Sequence, residues 1–174
     1  MFKRTAVLKL ALLCSLAAAS VAYADAKAEP TPLYKAPPGA KVQNSPSGLQ
    51  YVDIVVGQGD SPMAGDVCIV HFTAWLEDGT EIQSSMKPRP VDPNDPSKGE
   101  KTLPFGFKLG SGQVLKGWDE GVATMHEGGT RLLFLPPDLA YGSRGAGKLV
   151  PPDAHVIFRI SLLKIKRDTG DQRP

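Results

Sequence analysis

Over residues 67–76 the chain alternates, with Cys68, Val70, Phe72, Ala74 and Leu76 on one face and the more polar His71 and Thr73 on the other. A period of two predicts a strand that covers a core on one side. Runs of similar texture predict further strands over residues 49–56, 81–85, 103–109, 131–135 and 156–165. In 103–109, Phe105, Phe107 and Leu109 share a side; in 156–165, Val156, Phe158, Ile160 and Leu162 do. Turn residues separate these runs: Gly57-Gln58-Gly59-Asp60, Glu77-Asp78-Gly79-Thr80 and Pro136-Pro137.

The period changes once. Val114, Trp118 and Val122 fall four apart with Leu115 beside them, which predicts a short helix over 113–122. Ser111-Gly112 offers a hydroxyl cap ahead of it, and Gly128-Gly129 close the segment behind. Two stretches carry no pattern. Residues 86–102 hold Pro88, Pro90, Pro93 and Pro96 among charged and polar residues, and 138–153 hold Gly142, Gly145, Gly147 and Pro151-Pro152; both are expected as loops. Five or six strands, one helix and long loops predict an α+β domain built on an antiparallel sheet.

A chain of 174 residues with 41% hydrophobic content supports one such domain plus tails. The first tail is expected to be a targeting segment. Lys3 and Arg4 lead an apolar run that ends at the small-residue site Ala22-Tyr23-Ala24, so residues 1–24 are expected as a cleaved signal peptide and the rest as exported, periplasmic or secreted. Lipoprotein anchoring at Cys14 is the lesser alternative, because Leu13 is a poor small-residue match and the apolar run continues past it. Removal of residues 1–24 takes away Lys3, Arg4 and Lys9 and no acid, turning the formal +2 into −1. That charge gives no footing for nucleic-acid binding or a basic membrane face. Residues 25–47 are proline-rich and expected as an extended linker; 48–166 form the domain and 167–174 a polar tail.

Catalytic chemistry is hard to find by residue type. His71, His126 and His155 lack metal-ligand spacing, so no metal or other cofactor is expected. The single cysteine after residue 24, Cys68, sits in the alternating run and is expected as a buried thiol. Asp119 and Glu120 are adjacent on a helix and point apart. What remains is a supply of aromatics on separate elements: Phe72, Phe105, Phe107, Trp118, Tyr141 and Phe158. Core burial accounts for most of them; an aromatic-lined pocket is the sharper alternative.

Several segments resemble, in order, one known family. Val70-His71-Phe72-Thr73, Leu76-Glu77-Asp78-Gly79-Thr80, Ser84-Ser85, Pro104 to Gly110, Val114 to Val122, Pro137 to Gly142, Pro151-Pro152-Asp153-Ala154, Val156-Ile157-Phe158 and Leu162 to Ile165 are similar to the FKBP-type peptidyl-prolyl cis-trans isomerase domain. The resemblance implies an antiparallel half-barrel wrapped around one short helix. It also implies a proline pocket with Trp118 as floor, Phe72, Phe105, Tyr141 and Phe158 around it, and Ile82, Val114, Leu115 and Val150 completing the wall, Phe107 being counted with the substrate-binding residues. The backbone N–H of Leu115 and the hydroxyl of Tyr141 would hydrogen-bond the ligand. X-Pro-containing polypeptides would be the substrates, with FK506- or rapamycin-type macrolides as further ligands.

Three departures from the family pattern stand out. Phe72 replaces the usual Tyr, Ile82-Gln83 replaces the usual Phe-Asp, and loop 86–102 is longer than in the minimal domain. An isomerase assisting the folding of exported proteins, with Gln83 at the pocket edge among the catalytic set, is the expected activity. A peptide-binding module or chaperone with weak or no turnover is the alternative those departures would favour. Residues 25–47 are too short and proline-rich for a helical dimerisation region, so a monomer is expected.

Overall fold

The computed structural model describes residues 33–167; the expected signal peptide, the Cys14 alternative and all of the expected polar tail but Arg167 lie outside them. The strand of clearest alternation, β3 (Val67–Leu76), is the spine of the molecule. Cys68, Val70, Phe72 and Ala74 are buried, with Leu76 partly buried against the same core. One edge of β3 pairs along its whole length with β9 (Val156–Lys166), and the register slips between Ile69 and Val70, a bulge that helps the long pair curve. Its other edge is shared. β7 (Phe105–Lys108) covers the first half and β4 (Glu81–Ser84) the second. Beyond β9 follow β8 (Thr130–Leu135), β2 (Gln50–Val55) and β1 (Gln43–Asn44), every pairing antiparallel.

This sheet encloses one helix, α1 (Lys116–Ala123), which buries Gly117, Trp118, Gly121 and Val122. The antiparallel sheet around one short helix is the architecture expected, with seven strands rather than five or six. The helix starts later than its apolar spacing predicted. Gly112 takes φ +70° and Leu115 takes ψ 146°, so Val114 and Leu115 precede the first turn and Leu115 is the N-cap residue. The expected hydroxyl cap is not made: Ser111 Oγ donates instead to the Lys108 carbonyl at 2.6 Å.

Two expected loops contain short elements. Residues 86–102 carry a two-stranded ribbon, β5 (Arg89–Pro90) with β6 (Glu100–Lys101), around a 3₁₀ turn at Pro96–Lys98. Residues 138–153 carry the end of one 3₁₀ turn, a second turn at Gly142–Arg144, and a bridge between Ala146 and Val150. The arm ahead of the domain also packs. β1 extends the sheet, and Tyr34 lies 6.2 Å from Trp75, ring centre to ring centre.

Candidate functional site

The site forms where α1 meets the inner face of β3. Trp118 is 4% exposed, and four phenylalanines approach its indole from two strands and the end of a third. Phe72 lies 5.0 Å away, Phe158 5.2 Å, Phe107 5.7 Å and Phe105 6.1 Å, each steeply inclined to the indole. Edge-to-face pairs of this kind each add about 0.5–1.5 kcal/mol beyond area burial. The Nε1 of Trp118 is buried with no hydrogen-bond partner among the described residues.

Above the indole opens a cleft of about 490 Å³, lined by Phe72, Gln83, Phe105, Gln113, Val114, Leu115, Trp118, Tyr141 and Phe158. Eight of the eleven residues expected at a site thus meet around one cavity. Ile82, Phe107 and Val150 are not among its lining. Phe107, at 2% exposed, sits in the core against Trp118 and stacks beside Phe105 at 6.2 Å. Val150 is buried and bridges Ala146, holding the loop that carries Tyr141. Ile82 is partly buried against the same core.

Gln113 lines the cleft without having been expected there. Its Oε1 accepts the Lys108 N–H at 3.0 Å, tying the end of β7 to the approach of α1. A polar residue outside any apolar period leaves no trace in a hydrophobic pattern. Beside it, Asp119 Oδ1 accepts the Gly110 N–H at 2.9 Å, so both ends of the Val114–Leu115 segment are anchored. The Leu115 carbonyl receives the Trp118 and Asp119 N–H groups at 2.9 and 3.2 Å. Glu120 turns elsewhere and accepts from Ser47 at 2.7 and 2.9 Å, so the neighbouring carboxylates act separately.

The wall at Phe72 is clamped by Ser84-Ser85. The Phe72 N–H donates to Ser85 Oγ at 2.8 Å, the Ser85 N–H donates to the Phe72 carbonyl at 2.9 Å, and the Thr73 and Ser84 hydroxyls meet at 2.8 Å. Tyr141 is half-buried, and that burial pushes its hydroxyl pKa upward, so it stays protonated and able to donate at neutral pH. Cys68 is fully buried behind the pocket; burial, with Asp66 and Asp119 adding to it, pushes its thiol up to about 11. Such a thiol is unsuited to nucleophilic work.

A second cleft, about 260 Å³, lies between β2, β8 and the end of α1. It is polar, and its buried Arg131 is already engaged. The guanidinium donates to Asp53 Oδ1 at 2.6 Å, to the Gly121 carbonyl at 2.8 Å and to Thr124 Oγ1 at 2.6 Å, with the Tyr51 ring 4.1 Å from its carbon. These bonds close the helix C-terminus and mark a structural role.

Comparison with known proteins gives a consistent set. A family model described as FKBP-type peptidyl-prolyl cis-trans isomerase matches residues 59–163. The chain is 42% identical over 118 residues to an FK506-binding protein of Neisseria meningitidis serogroup B, covering 68% of this chain and 96% of that one. It is 45% identical over 105 residues to the human peptidyl-prolyl cis-trans isomerase FKBP2, covering 60% and 65% of the two chains. Among solved structures, AtFKBP13 superposes with a TM-score of 0.59 at 35% identity, covering 73% of this chain and 99% of that one.

Proposed function

The chain belongs to the FKBP-type peptidyl-prolyl cis-trans isomerases, and from that premise we propose that its isomerase activity resides in the aromatic cleft over Trp118. The supporting observation is the convergence of Phe72, Phe105 and Phe158 on one indole beneath an open cavity of about 490 Å³. The proline ring would rest on Trp118 between these rings. The Leu115 N–H and the Tyr141 hydroxyl would donate to carbonyls of the bound chain, and Gln83, exposed at the rim, would offer its amide. The same surface suits a macrolide of the FK506 type.

Rotation about an X–Pro bond starts from a barrier of about 18–20 kcal/mol, set by the resonance that planarity preserves. A twisted amide has lost part of that resonance and is less polar across its C–N bond, so an apolar cleft binds it better than the planar form. Each tenfold acceleration requires about 1.4 kcal/mol of such preference. The departures at Phe72 and Gln83 leave this route intact, because no proton or covalent bond has to be transferred.

We take residues 48–166 as the isomerase domain, exported behind a signal peptide at 1–24, acting as a monomer on proline-limited steps in the folding of exported proteins. No helix of the described residues is long and apolar enough to cross a membrane. The test is the cis-to-trans rate of a short X-Pro peptide with residues 25–174, beside Trp118→Ala and Phe105→Ala. The expected result is acceleration that both substitutions reduce by tenfold or more. Full rates in both folded variants would move the activity out of this cleft, and a dimer mass in light scattering would remove the monomer.

A further inference from the structure

The inserted ribbon brings a cation to the end of the proline cleft. A smaller cavity of about 160 Å³ is lined by Arg89 of β5, Ser85 and Leu103, and it shares Phe72, Gln83 and Phe105 with the main cleft. The two cavities therefore adjoin at these three side chains, with the aromatic floor in one and a guanidinium in the other. A peptide whose proline sits over Trp118 and whose chain runs past the shared side chains would carry the residues next to that proline toward the smaller cavity, each residue of extended chain covering about 3.3 Å.

Arg89 has no internal use for its charge. Two neighbouring cations are engaged: Lys87 pairs with Glu81 at 2.7 Å, and Lys98 pairs with Asp92 at 2.7 Å and with Asp95 at 3.7 Å. Arg89 is exposed and has no ion-pair partner among the described residues. The register sharpens this. Arg89 stands directly opposite Lys101, so two cations leave the same face of a two-residue ribbon, while Glu100 stands opposite Pro90 on the other face. Like charges directly opposite each other destabilise a strand pair. An anion bound between them would relieve that repulsion and meet the planar fork of Arg89.

We propose that Arg89, supported by Lys101, is a specificity-determining residue that selects X-Pro substrates bearing an Asp or Glu within two residues of the proline. This rests on the cleft being the substrate site. Gln83 is part of the same design: a carboxylate at that rim would repel the acidic segment that Arg89 attracts, and a neutral amide does not.

The experiment uses the whole protein and X-Pro peptides in which Glu or Gln is placed in turn at the two positions before and the two after the proline. Both Kd and kcat/KM are measured, at low and at high salt, for the wild type, Arg89→Gln and Arg89→Lys. At one or more positions Glu is expected to bind about two- to fivefold more tightly than Gln, the range of an exposed ion pair. The preference should vanish in Arg89→Gln, persist in Arg89→Lys, and shrink with salt. Equal Glu-to-Gln ratios in wild type and Arg89→Gln at every position would overturn the proposal. So would a uniform loss for all peptides, which marks a structural role. Because Kd is read independently of turnover, a protein that binds with the charge preference but does not isomerise would count against the catalytic reading alone.

Discussion

Phe105 and Phe107 leave the same strand two residues apart and touch the same indole, yet their surroundings differ. Phe107 is 2% exposed and Phe105 is 41% exposed. Residue type and alternation put both on the aromatic side, but they could not say which ring lies in the core and which forms the cleft wall. That depends on where Trp118 sits along β7, which is set by the Gln113 and Asp119 bonds ahead of the helix. The contrast predicts a separation of effects. Phe107→Ala opens a core cavity and should cost about 3–5 kcal/mol. Phe105→Ala, whose ring keeps much of its contact with water, should cost roughly 1 kcal/mol, while lowering kcat/KM about tenfold. Urea unfolding and the peptide rate on the two variants check this. A Phe105→Ala protein as unstable as Phe107→Ala, or as active as wild type, would show that the two rings share one role.

At the scale of elements, α1 lies so close to β8 that side chains have been removed between them. A Cβ at Gly117 would stand 2.5 Å from Leu135 Cγ, and one at Gly121 would stand 2.6 Å from Leu133 Cδ2. Both leucines are fully buried and cannot swing away. Intrinsic propensity favours Ala over Gly by about 1 kcal/mol in a helix interior; overpacking a filled core costs about 1–3 kcal/mol. At a contact this short the second effect wins, so Gly121→Ala should lower stability by up to about 2 kcal/mol, measured as a shift of the urea midpoint at unchanged slope. A stabilised variant would mean that the helix has room to lift. β3 was legible because its alternation records a core on one side. The helix was legible in its buried face but not in its start, since Val114 and Leu115 continue the apolar spacing while the chain there is still extended. Only a torsion such as φ +70° at Gly112, which no pattern of hydrophobicity encodes, separates the two cases.

For the molecule as a whole, the sheet is apolar on both faces where β2, β8 and β9 lie side by side, and that second face depends on the arm. Alternate residues divide: Leu133 and Leu135 of β8 and Phe158 of β9 turn toward the helix, while Val52, Leu132 and Ile157 form a smaller cluster against which Tyr34, Ala36 and Ala40 pack. Proline content made residues 25–47 read as a linker, and the few apolar residues among the prolines give no period to contradict it. The packing of residues 33–47 is specific all the same. Tyr34 meets Trp75, its ring fills the space beside Gly79, where a Cβ would stand 2.7 Å from Tyr34 Cζ, and β1 pairs with β2. A chain beginning at Gly48 would leave the Val52–Leu132–Ile157 face open to water and the edge of β2 unpaired. Uncovering a partly buried aromatic and two alanines should cost about 1–2 kcal/mol, lowering Tm by roughly 4–8 °C for a domain of this size. The cleft over Trp118 opens on the sheet's other face, so kcat/KM measured at low temperature should stay within about twofold of the longer chain. Thermal unfolding followed by circular dichroism, with the peptide rate taken in parallel, separates the two effects. An unchanged Tm would make the arm a passive tether, and a matching fall in activity would mean that the two faces of the sheet are coupled through β3 and β9.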